Sequence, residues 1–182
     1  MPSTPQSGIE RARWKPGQQR GFTMVELLTV VAIISVLATI AIPSLKVMIK
    51  NGRLRGASSD LYSDLLAARS QATANDVPVN VIPTGGVWTN GWTITYTPAH
   101  AGSVLTTLVQ HEALSSDIAV KVIGTAGNVV YNSNGRISSA SQTVVFYAPG
   151  VTNVEARCVS IDPSGLPRIA LDTDGNYANG CN

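Results

Sequence analysis

The stretch RGFTMVELLTVVAIISVLATIAIP, residues 20–43, decides how the rest of the chain is read. Between Phe22 and Ile42 its only charge is Glu26. At about 1.5 Å rise per residue the run makes a helix of roughly 31 Å, which matches a hydrocarbon core of about 30 Å and predicts a spanning helix. The acid needs a reason, because a carboxylate at the centre of a spanning helix costs roughly 2.5 to 3.5 kcal/mol on insertion scales and less toward an end.

Arg11, Arg13, Lys15 and Arg20 precede the run, as in a secretory signal. The apolar stretch is longer than the usual 7 to 15 residues or so of a signal, and no A-x-A-like cleavage site follows where one should. Orientation stays open on charge alone: Lys46, Lys50, Arg53 and Arg55 follow closely, so the basic residues balance across the span.

The full chain has 182 residues, room for one modest core and one membrane segment. Of its 13 Lys+Arg and 11 Asp+Glu, the four basic residues named above and Glu10 lie in residues 1–20. The body is therefore slightly acidic, which excludes a broad cationic surface for nucleic acid. The 2 cysteines, Cys158 and Cys181, lie far beyond the span. A metal site with four Cys and His ligands would need both of them together with His100 and His111, at spacings that fit no familiar pattern, so no metal is expected. A disulfide is simpler, and it places the body in an oxidising compartment outside the cytoplasm.

Residues 1–20 carry Pro2, Pro5, Gly8, Pro16 and Gly17 without periodicity and read as a leader. After Pro43, Leu54, Ala57, Leu61, Leu65, Ala68 and Ala72 recur at helical spacing, with Arg53, Arg55, Asp60, Asp64 and Arg69 on other faces. An amphipathic helix thus continues the span, with a kink expected at Pro43, a weak point at Gly52 and an end near 75–78, where Asn75 can cap. From Val77 the pattern is β: runs at 77–82, 92–97, 104–112, 118–123, 128–131, 143–147, 156–161 and 168–171 are rich in Val, Ile, Thr and Tyr. Asp162-Pro163-Ser164-Gly165 has the preferences of a type I turn and predicts a hairpin of the last two runs. Helix then antiparallel sheet is α+β, and 54–72 is the one candidate to cover the sheet.

Gly21-Phe22-Thr23-Met24-Val25-Glu26-Leu27-Leu28, the apolar stretch and Pro43 resemble the processing site and N-terminal helix of type IV pilins and type II secretion pseudopilins. Asn134-Gly135-Arg136-Ile137, with Asp162-Pro163-Ser164-Gly165 before Arg168-Ile169, is similar to the minor GspH/FimT group. The resemblance implies the type IV pilin fold, a long N-terminal helix on an antiparallel β-sheet domain. Its parts would be a cytoplasmic leader over 1–21, a transmembrane and filament-core helix over 22–43, an amphipathic continuation over 44–76 and a periplasmic sheet domain over 77–182. It implies a peptidase that cuts after Gly21 and methylates the amine of Phe22, an inner-membrane assembly platform, and other major and minor pilins or pseudopilins as partners. Glu26 and Pro43 become assembly residues, and the chain a minor structural subunit at or near the tip of a pilus or secretion pseudopilus. In a filament Glu26 would accept a charge-assisted bond from a neighbour's Phe22 amine.

Some relatives bind DNA for uptake through a Gly-Arg-x-Arg stretch. The matching residues read Gly165-Leu166-Pro167-Arg168, so Leu166 replaces one arginine, and Arg136, Arg157 and Arg168 remain as the candidates for DNA contact. Trp88 and Trp92 read as core and hairpin packing. His100 and His111 have no Cys, Ser or acid at a catalytic spacing, and no G-x-S-x-G, phosphate loop or carboxylate pair occurs. An enzyme is not expected, and no cofactor is implied.

Overall fold

The computed structural model describes residues 21–100, 102–151 and 153–181, so the expected leader lies outside the described residues except for Gly21. Helix α1 runs Met24–Asn75, 52 residues with Pro43 inside it. Proline removes one intrahelical bond, yet the helix is assigned without interruption through that position and through Gly52. A division into two compact units falls beside it, between Ala41 and Ile42.

In the first unit, the apolar side chains of the helix have no cover. Phe22, Met24, Ile33 and Ile40 are among the exposed residues, and the helix is long and apolar enough to cross a membrane. Its start is fixed locally. The Glu26 amide donates to Thr23 Oγ1 at 3.2 Å, and the Thr23 amide reaches back to Glu26 Oε2 at 3.4 Å. This is a capping box, which satisfies two otherwise orphaned donors.

In the second unit the helical stripe is buried as its spacing predicts: Leu54, Ala57, Leu61, Leu65, Ala68 and Ala72, joined by Ser58. The helix ends at Asn75, within the expected range. Asp76 takes the left-handed conformation (φ 53), and the Val77 amide bonds the Ala72 carbonyl at 3.3 Å, the 6→1 bond of a Schellman end.

Eight strands follow: β1 Val79–Pro83, β2 Trp92–Tyr96, β3 Thr106–His111, β4 Ala119–Gly124, β5 Val129–Tyr131, β6 Gln142–Tyr147, β7 Arg157–Ile161 and β8 Pro167–Leu171. The single sheet expected from the sequence is in fact two, in the orders β3-β2-β1-β5 and β4-β6-β7-β8, with antiparallel neighbours throughout. One core explains the split. The stripe on α1 is buried with Val81, Trp92 and Ile94 of the first sheet and with Val144, Phe146 and Val159 of the second, so both sheets turn a face to the same helix.

Strand β6 departs from alternation because both its faces are covered. Val144 and Phe146 join the main core, while Val145 packs on the far face with Ala156, Cys158 and Cys181. Cys158 and Cys181 are disulfide-bonded, as expected. The bridge ties the C-terminal segment to the strand beside Val145. By loop-entropy reasoning it stabilises the fold by roughly 3 kcal/mol.

Candidate functional site: the helix start and the two-turn junction

The processing candidates Gly21 and Phe22 precede the first helical residue, and Phe22 is 85% exposed. Glu26 sits three residues after the cap Thr23, where an acid also complements the positive end of the helix dipole. Thr23, named above only as part of the Gly21–Leu28 motif, is this cap, and Thr-x-x-Glu ahead of an apolar run is its readable signature. Pro43 lies inside the helix, with nothing in its surroundings beyond the missing donor to mark a role.

In the body, four charged residues of the amphipathic helix, read from the sequence only as its polar faces, hold other segments. Arg53 Nη1 pairs with Asp117 Oδ2 at 2.8 Å, and Asp64 Oδ2 accepts from the buried Trp92 Nε1 at 2.8 Å. Asp60 Oδ2 lies 3.5 Å from Nε2 of His111, whose ring stacks on Trp92 at 3.9 Å. Arg69 Nε donates to the Gly135 carbonyl at 2.8 Å. Trp88 and Trp92 are core residues, their rings 6.1 Å apart. His111 ends β3 and His100 is exposed, so neither departs from the strand or surface role expected of it.

The two turns that carry the second resemblance meet. Gly165 closes its turn by donating its backbone N–H to the Asp162 carbonyl at 2.9 Å, and its backbone lies directly against Gly135 and Arg136. Inside the turn, Asp162 Oδ1 accepts from the Ser164 amide at 2.8 Å and from the Ser164 hydroxyl. These bonds hold the Asp162 carboxyl below its ordinary range, with Arg168 and Arg136 adding smaller charge effects.

Of the three arginines named for DNA contact, Arg136 and Arg168 both act on the Asp162 carboxylate through charge, without an ion pair to it. Arg157 lies elsewhere, three positions along β7 from Ser160, the partner of Arg168. The Tyr131 hydroxyl is buried without a hydrogen-bond partner among the described residues, and burial pushes its ionisation up, opposed in part by Arg69. Among the described residues no group of three or more His, Cys, Asp or Glu is placed to hold a metal.

Comparison with known proteins agrees with this arrangement. The model of a prokaryotic N-terminal methylation motif matches residues 17–42, and that of type II transport protein GspH matches residues 57–165. Fimbrial protein EcpC of Eikenella corrodens is 35% identical over 90 residues, 40% of this chain. The match spans 59% of that curated relative's length. The crystal structure of the type IV minor pilin FimU of Pseudomonas aeruginosa superposes with a TM-score of 0.54 at 20% identity, covering 72% of this chain and 96% of that one. The minor pseudopilin EpsH from the type II secretion system of Vibrio cholerae does so with a TM-score of 0.50 at 14% identity, covering 65% and 96%. At such identities the two structures speak for the fold, which is that of these pilins. With the GspH model matched over more than half of its length, the chain belongs to the GspH family.

Proposed function

We propose that the chain is a minor pilin or pseudopilin, a structural subunit at or near the tip of a type IV pilus or type II secretion pseudopilus, which helps to start or complete filament assembly. The observation that carries this reading is the joining of an uncovered apolar helix, opened by Gly21, Phe22 and Glu26, to a body of the GspH family. Such a helix needs lipid in the precursor and neighbouring helices in a filament to cover it.

Processing follows from the same features. A prepilin peptidase and N-methyltransferase would cut after Gly21 and methylate the Phe22 amine, and the exposure of Phe22 ahead of the helix favours access. The leader would be cytoplasmic and the sheet domain periplasmic, across a single inner-membrane pass. The Cys158–Cys181 bond supports an oxidising compartment for the body. Released from the membrane by an assembly platform, the subunit would meet other major and minor pilins or pseudopilins. Glu26 would then leave its cap to take a charge-assisted bond from a neighbouring Phe22 amine, because an unpaired carboxylate in an apolar filament core is penalised. No catalysis is proposed. The DNA-uptake alternative is not proposed either, since Leu166 replaces one arginine of the matching stretch and Arg157 stands apart from Arg168 along the sheet.

Mass spectrometry of the N-terminus from cells that carry the peptidase tests the processing step: N-methyl-Phe22 is expected, and any other mature end overturns it. Sheared filament fractions test assembly. Glu26→Val should be absent from them, and its presence at wild-type levels would overturn the proposed role of Glu26.

A further inference from the structure

Beside the disulfide, a cleft of about 650 Å³ is lined by residues that include Tyr147, Glu155, Ala156, Asp172, Thr173 and Tyr177. Asp172 is only 4% exposed, and its Oδ1 has no hydrogen-bond partner among the described residues. The charged neighbour that acts on it is no lysine or arginine but a second acid: the carboxyl groups of Asp172 and Asp174 are in hydrogen-bond contact. Burial, and then Asp174, raise Asp172 above the ordinary carboxylate range, while bonds from Asn179 and the Asn176 amide hold Asp174 below it. The Asp172 carboxyl accepts from the Asp174 and Gly175 amides through its other oxygen, so Oδ1 alone is left bare and buried beside a second carboxylate.

The segment that presents them is held at three points. The Asp172 amide donates to the Ala156 carbonyl at 3.0 Å, Tyr177 stacks on Tyr147 with ring centroids 4.0 Å apart, and Cys181 is bonded to Cys158. Asp172, Asp174 and Asn176 stand at alternate positions, the spacing with which oxygen ligands open a calcium loop. Here the left-handed glycine, Gly175, falls at the fourth position rather than the sixth, and no third His, Cys, Asp or Glu joins the pair among the described residues. Two carboxylates converging on one point suit a compact hard ion better than an organic cation on a stem. Calcium accepts amide and carbonyl oxygens in irregular geometry, whereas magnesium demands a near-ideal octahedron.

We propose that the loop at Asp172, Asp174 and Asn176 binds one Ca²⁺-type divalent cation, with the unpartnered Asp172 oxygen as its buried ligand. With so few charged ligands, affinity belongs to the weak class of extracellular modules, a Kd of about 10⁻⁴ to 10⁻³ M.

The experiment uses the full chain in detergent micelles, titrated with CaCl₂ or MgCl₂ and followed by thermal unfolding, with Tb³⁺ luminescence sensitised by the adjacent Tyr177 as a second readout. A saturable rise of Tm with Ca²⁺ is expected, half-complete at about 10⁻⁴ to 10⁻³ M, without an equal response to Mg²⁺. Asp172→Asn and Asp174→Asn should each weaken Ca²⁺ binding and the Tb³⁺ signal at least tenfold, while Glu112→Gln, exposed just after β3, leaves both unchanged. No response of the wild-type chain to Ca²⁺, an equal response to Mg²⁺, or undiminished binding by Asp172→Asn would each overturn the proposal. The wild-type comparison of the two ions decides it even if a variant fails to fold.

Discussion

A Cβ placed on Gly165 would lie 2.1 Å from the carbonyl oxygen of Gly135. That distance is far inside contact, and Gly165 also holds a positive φ of 79°, so no other residue fits the turn. The same Gly135 carbonyl accepts from Arg69 on the helix. Helix, first turn and second turn are thus stacked through backbone, without a side chain between the two glycines.

Gly165→Ala should therefore destabilise the body by about 2 to 5 kcal/mol, the left-handed penalty plus overpacking. Gly150→Ala, where φ is 70° but nothing lies within 4 Å of the added carbon, should lose only about 1 to 2 kcal/mol. Urea unfolding of both variants checks the difference. Equal losses would show that conformation alone, and not the contact with Gly135, fixes the glycine.

Asp64→Ala removes the acceptor of a buried indole N–H and should cost about 1 to 3 kcal/mol, the penalty of leaving that donor unpaired. Leu61→Ala, one turn earlier on the same helix and fully buried, should cost about 2 to 5 kcal/mol. Chemical denaturation monitored by tryptophan fluorescence reads both, since Trp92 sits in the core beside Asp64.

Thr23→Ala should weaken the helix start by about 1 kcal/mol through loss of the cap, yet still allow entry into filaments. Glu26→Gln keeps a side chain able to bond the Thr23 amide but removes the charge. If Glu26 acts through its charge, Glu26→Gln is excluded from sheared filaments and Thr23→Ala is not. The reverse order would assign the acid to capping alone.

The Asp162 turn predicts a specific response to acid. The carboxyl is held below its ordinary value of 3.8 by the Ser164 hydroxyl and amide, then by the two arginines. A depressed folded-state value means that its stabilisation is complete above the unfolded value and is lost as pH falls through the lower folded one. Thermal unfolding of the wild type and Asp162→Asn between about pH 6 and pH 2 should show a Tm gap that is steady above about pH 5 and closes in strong acid. A gap that widens in acid would contradict the assignment.

Much of this protein was legible along the chain because the signals are local. The apolar run and its acid, the 3.6-residue recurrence from Leu54 to Ala72, the eight β-rich runs and the Asp162 turn each depend on residues a few positions apart, where backbone periodicity and turn chemistry act directly. What the sequence could not supply was pairing across distance. Strand β4 joins the sheet of β6 while β5 returns to β1, a division set by which faces the single helix can cover and invisible in any one strand. The grips of Arg53, Asp60, Asp64 and Arg69 looked like a solvated face, since a charge at helical spacing carries no record of what stands opposite. Gly135 and Gly165 read as separate turn residues, and nothing along the chain marks Asp172. Only the tertiary packing, which closed the two turns on each other and buried Asp172 ahead of the segment that ends at Cys181, gave these residues their partners and left one of them with a bare oxygen among the described residues.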